Sequence, residues 1–279
     1  MPEKAANPQF STQPGALDVL GAAFKIVTSL PAVLYLRYYL GTLPFVFAFL
    51  YFWSDMSKSA FAADHIHEAS LGLALAFFWM KWWQVRFATG VYYLVSGIPE
   101  IERAHKSGAH FAVVMLVHAL QFVALPLGLI SGILFGWVYA FFQSANVNSG
   151  EQRSFADAVK LNIWRAGQCS GQNHIVLSIL VLIIVIIFIN LFALAGFLPT
   201  ILKNTLNIDS PFTLYSGTLI NSTFMATLAS LAYIVVDPLI KIVYVLRCHY
   251  TESRTSGDDI IAAAQRQARV LIDSSGGHR

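Results

Sequence analysis

Residues 107–150 read SGAHFAVVMLVHALQFVALPLGLISGILFGWVYAFFQSANVNSG, 44 positions without one Asp, Glu, Lys or Arg. A helix needs about 20 mostly apolar residues to cross the hydrocarbon core of a bilayer. The run is too long for one crossing and fits two. Near its middle, Ala124-Leu125-Pro126-Leu127-Gly128 sets proline and glycine close together, and both residue types punctuate helices. The stretch therefore predicts a helical hairpin, with spans near 106–124 and 127–144 and a turn at Pro126 and Gly128.

The same reading extends along the chain. Residues 38–54 carry no charge and contain LGTLPFVFAFLYFW, a span near 36–54. A shorter charge-free run, 69–80, is lengthened by Lys81, whose stem can snorkel, and by Trp79, Trp82 and Trp83, which suit the headgroup level. It predicts a span near 66–84. Runs 175–202 and 210–236 predict spans near 174–198 and 218–246. With six spans, the N-terminus, the 81–106 and 145–174 loops and the C-terminal segment share one side, holding 3, 4, 3 and 6 Lys and Arg residues. The other side holds only Lys58 and Lys203. Positive charge collects on the cytosolic side, so both termini are expected there. Merging the hairpin into one span would put nine basic residues on the wrong side.

Composition agrees with an all-α polytopic membrane bundle. Of 279 residues, 56% are hydrophobic and 12% charged, against about 25% charge in ordinary soluble domains. Such hydrophobicity excludes disorder for most of the chain. A net charge of +3 without a long basic stripe excludes a nucleic-acid partner. Cys169 and Cys248 fall in segments assigned to the reducing cytosolic side and read as small, inert side chains.

The domain organisation follows. Residues 1–15 form a cytosolic tail without the apolar core of a signal peptide. Residues 16–252 are the membrane domain. Residues 253–279 are a second cytosolic tail, with a short amphipathic helix at 257–272 started by Thr255 or Ser256 and by Asp258 and Asp259. Segments 16–29 and 154–167 also have apolar residues at helical spacing and lead straight into spans. Helices of this kind lie at the headgroup boundary. Ser154, with Asp157 three residues on, caps the second.

Three stretches carry a family resemblance: LPLGLISG at 125–132, SFADAVKLNIWRAG at 154–167, and DPLIKIVYVLRCHYTESRTSGDD at 237–259. In this order the chain resembles the bacterial six-helix inner-membrane family that includes the membrane domain of glycerophosphoryl diester phosphodiesterases. The resemblance covers roughly residues 15–260. It implies a six-helix fold in a bacterial cytoplasmic membrane. The catalytic activity of those enzymes belongs to a separate soluble barrel, which has no room here, so no hydrolase activity is implied.

Candidate chemistry is sparse. Asp64, His65, His67 and Glu68 are the one cluster of metal-ligand types. On a helix, Asp64 and Glu68 are i,i+4 and could contribute to a divalent site; the reading favoured over it is a solvated acidic loop leading into a span, with no metal. Asp237 is the one acidic residue near an embedded stretch, and embedded charges are costly. Lys241, four residues on, is placed for an ion pair beside Pro238, which is expected to kink the helix; Arg37 and Arg165 are alternative partners, and a proton or ion relay is the other reading. His118, Gln121, Asn190 and Asn221 lie within spans and are expected to bond between helices or to line a polar path. No broken-helix pair is evident. Aromatic residues, Tyr38 and Tyr139 among them, read as an interfacial belt. No hydrolase, phosphate-loop or zinc-protease motif occurs, so neither an enzyme nor a cofactor is expected. The first expectation is a non-catalytic accessory or scaffold subunit with lipids and a protein partner or second copy as its contacts. The alternative is a small transporter or lipid-handling permease.

Overall fold

The computed structural model describes residues 14–97, 107–131, 135–147, 154–168, 170–208 and 221–257. Among these there are helices and no strand. The elements are α1 (Ala16–Ser29), α2 (Ala32–Lys58), a 3-10 turn (Ala62–His65), α3 (Ile66–Ser96), α4 (Ser107–Ala119), α5 (Gln121–Ser131), α6 (Phe135–Ser144), α7 (Phe155–Gln168), α8 (Ser170–Leu206) and α9 (Ser222–Ser256). Four stretches are long and apolar enough to cross a membrane: Ala32–Lys58, Ala112–Ser131, Ser170–Leu206 and Ser222–Ser256. The protein is a helical, multi-pass membrane protein.

The last helix organises the bundle. Its segment Val236–Cys248 is buried without interruption, and α1, α2, α3, α6, α7 and α8 all pack on it. An all-round buried helix belongs at the centre of a bundle. Pro238 lies inside α9, which runs on through it. The α2–α3 hairpin is the tightest pair. A Cβ on Gly41 would stand 2.3 Å from Trp83 Cβ, and one on Gly90 would stand 2.6 Å from Leu34 Cδ2. Small residues let the two backbones approach. Pro44 within α2 has no N–H, which takes from the Leu40 carbonyl its usual helical donor. Trp79 of α3 supplies one, its indole N–H reaching Leu40 O at 3.1 Å.

Two sequence expectations are corrected here. The hairpin in 107–150 exists, but Pro126 and Gly128 lie inside α5 and not at its turn. The Pro126 amide would have bonded to Phe122 O, so the proline costs one helical bond and the helix continues through it. Gly128 serves packing, since a Cβ there would meet Val138 of α6 at 3.3 Å. Secondly, the first arm is not one regular helix: α4 and α5 meet at a turn at Leu120 within the apolar stretch Ala112–Ser131.

The lead-in helices are better tied down than expected. α1 buries Val19, Leu20 and Ala23 against the bundle and leaves Leu17 and Phe24 exposed. α7 buries Ala158, Asn162, Arg165 and Ala166, while Phe155 and Ile163 face outward. Asn162 and Arg165 are thus turned into the bundle between two alanines, while the exposed face carries Asp157 and Lys160 beside Phe155 and Ile163. Ser154 caps it, its hydroxyl accepting from Asp157 N at 3.2 Å. The N-terminal tail up to residue 13, Cys169 and the 258–272 part of the tail helix lie outside the described residues.

Candidate functional site

The structure gathers ionisable and polar side chains from α2, α3, α6 and α9 into one buried cluster. Asp237 is at its centre. Its Oδ2 accepts from the Tyr38 hydroxyl at 2.9 Å and from Gln84 Nε2 at 3.2 Å, and its Oδ1 lies 3.5 Å from Lys241 Nζ. Lys241 Nζ also donates to Gln143 Oε1 at 2.9 Å. Gln84 Nε2 reaches the Tyr233 oxygen at 3.1 Å, and Gln84 Oε1 accepts from Lys81 Nζ at 3.4 Å. The Lys81 ammonium also lies over the Phe77 ring, 5.2 Å from its centroid. Asp237 and Lys241 are each 2% exposed and Lys81 4%.

Helix geometry explains the convergence. Asp237 and Lys241 are one turn apart on α9, and Lys81 and Gln84 one turn apart on α3. Tyr38 enters from α2, stacked edge-on against Phe87. Asp237 stands 15 residues from Ser222 and 15 from Glu252, so the cluster is roughly 22 Å from either level.

The interrupted helices end beside it. His118, the penultimate residue of α4, is fully buried, and its Nδ1 meets Gln121 Oε1 across the break at 3.3 Å. Its Nε2 has no partner among the described residues. α6 runs into the interior, and Gln143, Ser144, Ala145, Asn146 and Val147 are all buried. The last carbonyls of α6 are met locally, by the amides of Ala145, Asn146 and Val147 and by the Asn146 side chain. Arg165 of α7 adds to these, its Nη1 bonding Ser144 O at 3.3 Å and, beyond the helix, Val147 O at 3.0 Å. The same guanidinium pairs with Glu252, which also accepts from the Tyr92 hydroxyl at 2.5 Å. This clamp joins α3, α6, α7 and α9.

The remaining candidates are placed as follows. Arg165 pairs with Glu252 and is not a ligand of Asp237. Arg37 lies beside Gly90 on α3, its Nη1 3.3 Å from the position of a Cβ there. Asn190 is exposed on α8 and donates to its own helix at Ile186 O, 2.8 Å. Asn221 caps α9, accepting from Thr223 N at 2.9 Å. These two asparagines therefore bond locally. His65 Nε2 meets Asp55 Oδ2 at 2.5 Å, joining the 3-10 turn to the end of α2. Among the described residues no three His, Cys, Asp or Glu side chains gather as metal ligands, so Asp64, His67 and Glu68 are not brought into a common site.

Sequence reading missed Lys81, Gln84, Gln143 and Tyr38. Lys81 had passed as a snorkelling interface residue and Tyr38 as part of the aromatic belt; both face inward. One signal was available: Lys81 and Gln84 are three residues apart and so share a face of α3. No family model, curated protein or solved structure matches the chain.

Proposed function

We propose that the protein is a small permease whose solute and coupling charge meet at the Asp237–Lys241–Lys81 cluster. The observation that carries this reading is a buried cluster of one carboxylate and two lysines at the centre of the bundle, beside the inner end of α6. Ionisable groups inside a membrane bundle are costly and typically mark a pathway or relay. Short or interrupted helices are the usual frame of a transport site, because their free backbone ends and polar side chains can change partners. A scaffold subunit has no need of two buried ammonium groups beside one carboxylate.

The topology belongs to the same proposal. The basic residues call for six crossings with both termini cytosolic, a count that needs the chain to return across the membrane after α5. A bacterial cytoplasmic membrane and kinship with the six-helix family of phosphodiesterase membrane domains complete it.

The test is flux. Purified protein in liposomes with an entrapped pH dye is challenged with a panel of small organic acids, amines and inorganic salts under an imposed proton gradient. A solute-dependent pH change is expected with the native protein and its loss with Asp237→Asn. Flux equal to that of empty liposomes across the panel overturns the reading.

One observation favours a second reading, the accessory subunit. Asn190 is a polar group on an exposed side of α8 that also carries Ile186 and Ile189. A side-chain amide in such a place can bond to a neighbouring helix. Recovery of the gently extracted protein with another polypeptide at fixed stoichiometry, lost on Asn190→Leu, would support it.

A further inference from the structure

We infer that one face of α2 binds a phospholipid with a zwitterionic, ammonium-bearing headgroup, its phosphate on Lys58 and its ammonium on Asp55. The inference is independent of the permease reading and of which leaflet this end of α2 faces.

A cavity of about 310 Å³ lies at the C-terminal end of α2, lined by Tyr51, Ser54, Asp55, Lys58 and Ser59. The first four stand at i, i+3, i+4 and i+7 and share one helical face. The same face continues back along the helix through Phe47, Pro44 and Leu40, all exposed. An exposed apolar stripe therefore runs into a polar cavity that holds both signs of charge. Ser54 is about 33 Å along α2 from Ala32, close to the ~30 Å hydrocarbon thickness. The stripe is thus at acyl-chain depth and the cavity at headgroup level. The cavity is at the small end of the range for ligand sites, which suits a headgroup whose chains lie outside it on the stripe.

The open valences select the headgroup. Asp55 Oδ2 is taken by His65 Nε2 at 2.5 Å, and Oδ1 has no partner among the described residues. The Lys58 ammonium has none there either and does not pair with Asp55, although the two are only three residues apart. A phosphate beside a primary ammonium meets both at once. A choline headgroup has no N–H to give Asp55, and a glycerol headgroup brings no cation. Counting Asp55, Asp64 and Glu68 against Lys58 and a protonated His65 still leaves this end of the α2–α3 hairpin negative, which disfavours a purely anionic lipid.

The native protein in detergent is offered equimolar phosphatidylethanolamine, phosphatidylcholine and phosphatidylglycerol, and retained lipid is counted by native mass spectrometry. Phosphatidylethanolamine is expected to be retained over each of the others by about fivefold, the size of a half-exposed ion pair. Lys58→Gln should weaken retention of all three, and Asp55→Asn should abolish the preference for phosphatidylethanolamine over phosphatidylglycerol. Nanodiscs locate the site. In a background lacking Cys169 and Cys248, Ser54→Cys should react with maleimide more slowly in phosphatidylethanolamine than in phosphatidylglycerol, again by about fivefold. Ala60→Cys, which does not line the cavity, should react at one rate in both. Retention blind to the headgroup, an unchanged preference in Asp55→Asn, or Ser54→Cys labelling that is the same in both lipids overturns the inference.

Discussion

His65 shows how a single contact at the end of α2 ties the connecting turn to the bundle. Its ring is exposed, yet the hydrogen bond to Asp55, helped by the charges of Asp55, Glu68 and Asp64, raises its pKa above the ordinary 6.5. The protonated ring is the form that Asp55 holds. The contact therefore contributes fully below the unfolded histidine's value and is lost as pH rises through the folded one. Asp55→Asn should bring the His65 titration midpoint, followed by imidazole NMR, back down toward 6.5. An unmoved midpoint would show that the contact is absent in solution. Asp237 and Lys241 were legible at this scale because i,i+4 spacing needs no tertiary knowledge. Tyr38, Gln84, Gln143 and Lys81 were not, because each reaches Asp237 or its neighbours from another helix.

At the scale of elements, α6 depends on a residue of another helix. The inner end of α6 and the turn after it are buried. Arg165 bonds one carbonyl of each, Ser144 O and Val147 O, and holds Glu252 as well, with its side chain 1% exposed. Arg165→Met removes all of these bonds and leaves a half-buried carboxylate without its cation. The expected cost is about 3–5 kcal/mol, read in a denaturant titration of the detergent-solubilised protein. Glu252→Gln, which keeps an acceptor in place, should cost less. A loss in Arg165→Met no larger than in Glu252→Gln would mean that α6 is held by packing alone. Sequence periodicity placed α7 and its cap, but not the inward turn of Arg165, whose partners Ser144, Val147 and Glu252 come from elsewhere in the chain. Likewise, Pro126 marked a turn only on the assumption that a lost helical bond ends a helix, and α5 continues past it.

For the whole molecule, the proposed orientation rests on the sided count of lysine and arginine. Lys81, Arg165, Lys241 and Arg247 are buried in the bundle and drop out of that count, which leaves twelve basic residues assigned to one side against two. In a background lacking Cys169 and Cys248, Ala60→Cys should react with an impermeant maleimide in intact cells. Ser154→Cys should react only after permeabilisation. Labelling of both in intact cells would mean that the α5–α6 hairpin fails to return the chain. Long charge-free runs made the helical, membrane-spanning class legible from sequence. The interruption at Leu120 was not, because no residue there differs in kind from its apolar neighbours.

The length of α8 has a physical consequence of its own. Its 37 residues extend for about 55 Å, nearly twice the ~30 Å hydrocarbon thickness. Much of its apolar surface is exposed, from Ile175 to Ile201. That apolar run is about 40 Å long, and the excess over the hydrocarbon core makes the helix lean or draw the surrounding lipid into a thicker annulus, at a cost that grows with every ångström of mismatch. Because α8 packs on α9, its lean bears on the helix that carries Asp237. Acyl-chain length thereby becomes a mechanical input to the molecule, and the thicker parts of a membrane are where it rests with least strain.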